Sequence, residues 1–226
     1  MTFRKIKLAI YSLLLTNWYG FSLRRVSNPL EVKKSRFNYA KTLLEKLKIS
    51  VEVKNQEHLA DKKQYLVLSN HRGIIDPLIL EMALEQTNIF GYWIAKKELY
   101  NSPFFGVFVR NAGALLLDRE QKQMSNFFAD VKQKVKEGSS IFIFPEGTRN
   151  KSDEPLIKFK EGFRIIALKN RLPILPVYIR TRTDKALGSA LDGRKEELTV
   201  TIEIGNEIDY KSKENIQKLY KEMFKL

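Results

Sequence analysis

From residue 65 onward the chain alternates short apolar runs with longer stretches of helical periodicity, and this alternation limits its fold more than any single motif does. Residues 65–69, 92–95, 114–117, 140–144, 174–179 and 199–204 read as strands. Between them Met124, Phe127, Phe128, Val131 and Val135 repeat at helical spacing, and Ile216, Leu219, Tyr220, Met223 and Phe224 do the same at the end of the chain. Such a pattern predicts an α/β fold: a mixed, largely parallel sheet flanked by helices on both faces. Function in these folds gathers in the loops that leave the carboxyl ends of the strands. With 226 residues the chain buries a substantial core. The expected division is a two-helix element over residues 1–50 and one α/β domain over residues 51–226.

The first fifty residues differ in kind from the rest. Arg4, Lys5, Lys7, Arg24, Arg25, Lys33, Lys34, Arg36, Lys41, Lys46 and Lys48 stand there against only Glu31 and Glu45. Residues 8–23 are apolar apart from Ser12, Thr16, Asn17, Gly20 and Ser22, and they carry Trp18 and Tyr19. A bilayer span needs roughly 20 predominantly apolar residues. This stretch falls short of that and suits a helix lying in the interface or dipping into one leaflet, with Trp18 and Tyr19 at headgroup depth. The same pattern fits an ordinary amphipathic helix packed on the domain. No small-x-small cleavage site follows, which argues against a signal peptide. Asn28-Pro29 breaks the chain, and Phe37, Ala40, Leu43, Leu44 and Leu47 then mark a second helix. The expectation is a membrane-docking helix pair, monotopic or peripheral, on the cytoplasmic face of the cell membrane.

Forty Lys and Arg against twenty-six Asp and Glu give a formal charge of +14. That balance favours an anionic partner: a phospholipid surface, a phosphorylated substrate, an acidic protein or nucleic acid. Nucleic acid is set aside, because no base-stacking aromatics interleave with the basic residues. The absence of cysteine removes disulfides, thiol nucleophiles and Cys-ligated metals. With two histidines, His58 and His71, and no HExxH pairing, no metal site is expected.

Three segments carry chemistry, each placed at the end of a strand. Asn70 to Pro77 holds His71, a general base for a hydroxyl at near-neutral pH, and Asp76, five residues on, able to fix the imidazole tautomer and stabilise the imidazolium. Asp76 before Pro77 is also an ordinary helix cap; with two oxygens the carboxylate can serve a helix amide and the imidazole together. Gly113 to Arg119 ends in a charged pair, where Arg119 either binds phosphate bidentately or pairs with Asp118 at the surface. Phe144-Pro145-Glu146-Gly147-Thr148-Arg149 is a tight loop: Gly147 admits a ligand to the backbone, Glu146 and Thr148 offer an acceptor and a hydroxyl, and Arg149 adds a planar cation. Farther on, Pro173 and Pro176 flank a short apolar run that reads as an edge strand or a buried wall.

In order and spacing these segments resemble the glycerolipid acyltransferase family, most closely bacterial 1-acylglycerol-3-phosphate (lysophosphatidic acid) acyltransferases. The resemblance covers about half the chain, residues 65–180. It implies that His71 and Asp76 form the family's HX4D motif, and that the acceptor phosphate meets Arg149, Arg119 and Lys96, the last within Ile94-Ala95-Lys96-Lys97-Glu98-Leu99. The run Ser102-Pro103-Phe104-Phe105-Gly106 would line the acyl path. Asn150 stands where the family usually has Ser, and Leu116 where an aromatic is common.

The implied reaction moves a fatty acyl group from an acyl thioester, carried by acyl carrier protein or coenzyme A, to the hydroxyl of lysophosphatidic acid, giving phosphatidic acid for phospholipid synthesis. No cofactor beyond that co-substrate and no acyl-enzyme is needed. Backbone amides near Gly147 are the expected oxyanion donors. Two alternatives stay open: transfer to another lysophospholipid, and a non-catalytic basic protein that only binds membranes.

Overall fold

A computed structural model describes residues 2–59, 64–118 and 124–226. The chain opens with two helices, α1 (Phe3–Ser22) and α2 (Pro29–Lys46), joined by a 3-10 turn over Leu23–Arg25. Asn28 caps α2 by accepting from the Leu30 amide at 2.9 Å, and Pro29 follows at the first helical position, where its missing N–H costs nothing. Glu31 in the first turn and Lys46 in the last suit the helix dipole.

Seven strands form one sheet: β1 (Ile49–Lys54), β2 (Leu66–Ser69), β3 (Gly91–Lys96), β4 (Ala114–Leu117), β5 (Ser140–Ile143), β6 (Ile174–Ile179) and β7 (Leu198–Ile204), in the order β1-β7-β6-β2-β5-β3-β4. Strands β2 to β6 are mutually parallel, β7 runs antiparallel to β6, and β1 pairs in parallel with β7. The expected mixed, largely parallel sheet is therefore the one observed. Two of the expected strands have the expected ends and four differ by a residue at one or both ends. β1 is additional, and residue 50, the expected domain boundary, lies inside it.

Each strand of the centre feeds two cores. In β2, Leu66 and Leu68 face one side and Val67 the other. One core packs α2, α3 (Asp76–Ala83) and α8 (Thr183–Asp192) against the sheet. The other packs α6 (Ser125–Lys136), α7 (Gly162–Asn170) and α9 (Ile216–Phe224). Two short helices, α4 (Lys97–Tyr100) and α5 (Gly106–Asn111), lie between β3 and β4. Burial on both faces explains why the central strands are almost purely apolar.

The proline-flanked run is β6, a buried interior strand and not an edge. Pro176 is tolerated because pairing to β7 starts only at Val177, so no ladder donor is missing at residue 176. Its carbonyl still accepts from the Gly205 amide at 2.8 Å.

Helix α1 divides its two faces. Thr16 and Gly20 are buried, and Tyr11, Leu15 and Tyr19 pack on the core. A Cβ on Gly20 would sit 2.7 Å from the Phe108 backbone nitrogen, so glycine is what lets α1 approach α5. On the opposite face Phe3, Ile6, Ile10, Leu14, Trp18 and Phe21 form one apolar row that is 40 to 82% exposed. No helix among the described residues is long and apolar enough to cross a membrane.

Candidate active site

The parallel strands bring the motif loops to one edge of the sheet. β2 and β5 are immediate neighbours, with Leu68 opposite Ile143, so the loop carrying His71 and the loop carrying Glu146 leave the sheet side by side. β3 lies next to β5 with Trp93 opposite Phe142 and runs on to Lys96 at the same edge.

Asp76 opens α3 and is almost wholly buried. Its Oδ2 accepts from His71 Nδ1 at 2.8 Å, from the Arg72 amide at 2.6 Å and from the Gly73 amide at 2.9 Å. Its Oδ1 accepts from the Thr183 hydroxyl, delivered by the first residue of α8. The carboxylate thus serves the imidazole and a backbone together, as expected, but the amides belong to the loop before the helix. Asp76 is the first helical residue and does not cap α3, whose N-cap position is Ile75. With two amides and a hydroxyl already donating to the carboxylate, Nδ1 carries its proton toward Asp76 and Nε2 keeps its lone pair. No described residue hydrogen-bonds Nε2, and the side chain is 19% exposed.

The ring is held from the side as well as from the end. Phe144 stacks on His71 with centroids 4.0 Å apart and planes 11° from parallel. Trp93 stacks on Phe144 in turn, at 5.1 Å and 28°. The Trp93 indole donates to Glu81 of α3 at 2.9 Å, and Glu81 is ion-paired to Arg36 of α2. Asn70 clasps β6, donating to the Ile179 carbonyl at 3.1 Å and accepting from its amide at 2.8 Å. Asn150, the departure from the family's serine, is buried; its amide donates to the His71 carbonyl at 2.7 Å and its side chain organises the turn through Ser152 and Glu154.

Glu146 is not a surface acceptor. It is buried, with Oε1 taking the His71 amide at 2.8 Å and Oε2 the Ile157 amide at 3.2 Å. It braces the loop, which corrects the expectation that it touches substrate. Burial pushes its carboxyl up from the ordinary 4.5 to about 7, against the two backbone donors that favour the anion. The folded chain therefore holds this proton more tightly than the unfolded one. The resulting stabilisation is complete below pH 4.5 and lost as pH rises through about 7. Glu146→Gln is expected to remove this pH dependence, of order 3 kcal/mol, while sacrificing one of the two amide bonds. Urea unfolding at pH 5 and pH 8 measures it; an unchanged difference between the two pH values would contradict the assignment.

Gly147 has φ +66°, in the left-handed region that favours glycine, and its amide turns inward to the Phe144 carbonyl at 3.0 Å. That amide is spent on the loop, which leaves its neighbours as the amides near Gly147 that could meet an oxyanion. The amides of Thr148 and Arg149 bond no described residue, and both residues are exposed. Lys96 is exposed at the end of β3. Arg119 lies outside the described residues; Asp118 beside it pairs with Lys97 at 3.0 Å. The structure thus brings His71, Asp76, Glu146, Gly147, Thr148, Arg149 and Lys96 to one sheet edge. Thr183, Phe144 and Trp93 join them without having been expected there. Phe144 stood within the most specific motif, whereas Thr183 and Trp93 gave no sequence signal.

Residues 50–180, more than half of the chain, match the Acyltransferase family. The chain belongs to that family. Among curated acyltransferases it is 40% identical over 115 residues to a 1-acyl-sn-glycerol-3-phosphate acyltransferase of Helicobacter pylori, covering 50% of this chain and 47% of that one. It is 32% identical over 130 residues to the enzyme of the same name from Bacillus subtilis, covering 58% and 62%. The match thus spans about half to three fifths of the length of these curated relatives. The crystal structure of the 1-acyl-sn-glycerophosphate (LPA) acyltransferase PlsC from Thermotoga maritima superposes with a TM-score of 0.68 at 22% identity, over 98% of this chain and 92% of that one. That likeness is one of fold and includes the helical amino-terminal region.

Proposed function

We propose that this protein transfers a fatty acyl group from an acyl thioester to the free hydroxyl of lysophosphatidic acid, giving phosphatidic acid. The observation that carries the reading is the His71–Asp76 pair with Nε2 unengaged, one loop away from the exposed Arg149. Membership of the acyltransferase family and the names of the curated relatives support the acceptor.

His71 Nε2 takes the proton of the acceptor hydroxyl while Asp76 holds the imidazolium that forms. The alcohol oxygen attacks the thioester carbonyl, and the tetrahedral oxyanion meets the amides of Thr148 and Arg149. Collapse breaks the carbon–sulfur bond, and the leaving thiolate takes the proton back from His71. Arg149, with Lys96 and Arg119, binds the acceptor phosphate. The +14 charge favours an acidic carrier protein as donor.

We also read the exposed apolar row of α1 as the face laid against an anionic bilayer at the cytoplasmic side, with Arg24 and Arg25 beside it. Exposed Ile74 and Leu99 add apolar surface near the site. Flotation with anionic and neutral vesicles tests this, and failure to bind either removes the docking reading.

Purified protein supplied with lysophosphatidic acid and labelled acyl-CoA or acyl carrier protein is expected to make phosphatidic acid. No product from either donor overturns the reading. Product only from a different lysophospholipid favours the second acceptor class. Arg149→Ala is expected to raise KM for lysophosphatidic acid roughly 10- to 100-fold with little change in kcat, the effect of losing one charged hydrogen-bonded contact that is already made in the ground state. An unaltered KM would remove Arg149 from the phosphate site.

A further inference from the structure

We infer that Thr183 is a positioning residue of the His71–Asp76 pair. The inference rests on the proposed reading of His71 and extends it to a residue outside every motif. Asp76 has two oxygens and an unequal load. Oδ2 accepts three N–H groups, all from within its own loop, while Oδ1 accepts only the Thr183 hydroxyl. Thr183 is fully buried, and nothing else in the described chain bonds that oxygen. Threonine near a helix start commonly turns its hydroxyl back on the helix. Here the hydroxyl leaves α8 for a carboxylate 107 residues away in sequence.

The contact is built from both sides. A Cβ on Gly73 would sit 2.5 Å from Thr183 Oγ1 and 3.0 Å from the Thr183 carbonyl carbon. Glycine within the HX4D loop is therefore what admits the first turn of α8 to Asp76. With Oδ2 fixed by the loop amides and Oδ1 fixed by α8, the plane of the carboxylate is defined by two separate elements. That plane in turn sets the direction in which the imidazole points Nε2. Without the Thr183 bond, only the contacts at Oδ2 would resist rotation of the carboxylate about Cβ–Cγ.

The charged groups around the pair are Glu146, Arg72, and Arg182 with Asp184. Glu146 is held by the His71 and Ile157 amides. Arg72 donates to the Ser152 and Glu154 carbonyls. Arg182 and Asp184 bond each other at 2.8 Å on either side of Thr183. Exchange of the Thr183 hydroxyl for a methyl leaves all of these bonds in place.

The test compares Thr183→Val, which keeps the shape and loses the donor, with Thr183→Ser, which keeps the donor. Thr183→Val is expected to lower kcat about tenfold with KM changed less than about twofold, because a tilted base affects the reacting geometry more than binding. The acid limb of its kcat/KM pH profile is expected to move by about half a pH unit or more, since a donor to the carboxylate has gone. The downfield proton resonance of the His71–Asp76 bond, assigned by its absence from His71→Ala, should weaken or shift in Thr183→Val and persist in Thr183→Ser. If Thr183→Val does not fold, Thr183→Cys, whose thiol is a weak donor, is read in the same way.

Equal behaviour of the Val and Ser variants, or an unmoved resonance and pH limb in Thr183→Val, would reduce Thr183 to packing and overturn the inference. A resonance that responds to Thr183→Val, in a protein whose acyl transfer is indifferent to His71→Ala, upholds the hold on the ring and overturns the assignment of His71 as base.

Discussion

His71→Ala is expected to reduce acyl transfer about 10²- to 10⁴-fold, the usual contribution of a positioned general base, while the protein stays folded. The expectation of an intact fold has a structural reason. What His71 gives the architecture comes from its backbone: the amide donates to Glu146 at 2.8 Å, and the carbonyl accepts from Asn150 at 2.7 Å. Both survive truncation. The side chain gives up its bond to Asp76 and its stack on Phe144, and Asp76 keeps the Arg72 and Gly73 amides and the Thr183 hydroxyl. A loss of about 1–2 kcal/mol covers these contacts, against roughly 3–5 kcal/mol on the barrier. Initial rates and a thermal melt on the same preparation separate the two. A variant that keeps more than about a tenth of the rate would rule out general-base catalysis by His71 and require another base for the acceptor hydroxyl.

The features legible in the sequence are those governed by local pattern. Pure apolar runs gave the central strands to within a residue at each end, because a parallel sheet covered on both faces selects almost nothing else. Asn28-Pro29 marked a break in the chain, and α2 starts there, with Asn28 as its cap. The apolar stretch at residues 8–23 was open between interface and packing; α1 packs one face on the core and leaves the other, an apolar row, exposed. β1 escaped because Ser50, Glu52 and Lys54 interrupt it and its partner, β7, lies almost 150 residues downstream.

At the site, spacing set Asp76 five residues after His71, and the family resemblance joined that pair to the Pro-Glu-Gly-Thr-Arg loop. Neither could tell an outward carboxylate from an inward one. Glu146 and Arg149 are three residues apart in one polar loop, yet one is buried as a brace and the other exposed. That difference is decided by the amides of His71 and Ile157, which belong to other segments. Thr183 and Trp93 were illegible for the same reason, since each acts through a residue that only the fold brings near.

Glu81→Leu is expected to be the most destabilising of the changes considered. Arg36 and Glu81 are both buried, and the guanidinium spans three elements. Nε donates to Glu81 at 3.0 Å, Nη2 donates to the same carboxylate, and Nη1 reaches the Gly91 carbonyl at 2.7 Å and the Ala112 carbonyl at 3.3 Å. Removing one partner of a buried pair costs about 3–5 kcal/mol, since the other charge stays buried without its counterion. For a chain of this size that lowers the melting temperature by roughly 6–20 °C.

Arg36→Met should cost less, because a buried carboxyl has a neutral protonated form and keeps the Trp93 donor, whereas a guanidinium stays charged. Arg36→Met with Glu81→Leu should recover most of the loss, as apolar replacements of buried pairs do. A double variant no more stable than Glu81→Leu alone would mean that the two carbonyls, and not the ion pair, are what Arg36 serves. The double variant also separates stability from chemistry. It leaves the Trp93 indole without its acceptor, and Trp93 is the outer ring of the stack that ends on His71. Recovered melting with a reduced kcat would mean that the hold on the imidazole extends through Phe144 and Trp93 to the amino-terminal helices. Recovery of both would confine that hold to the loop and to α8.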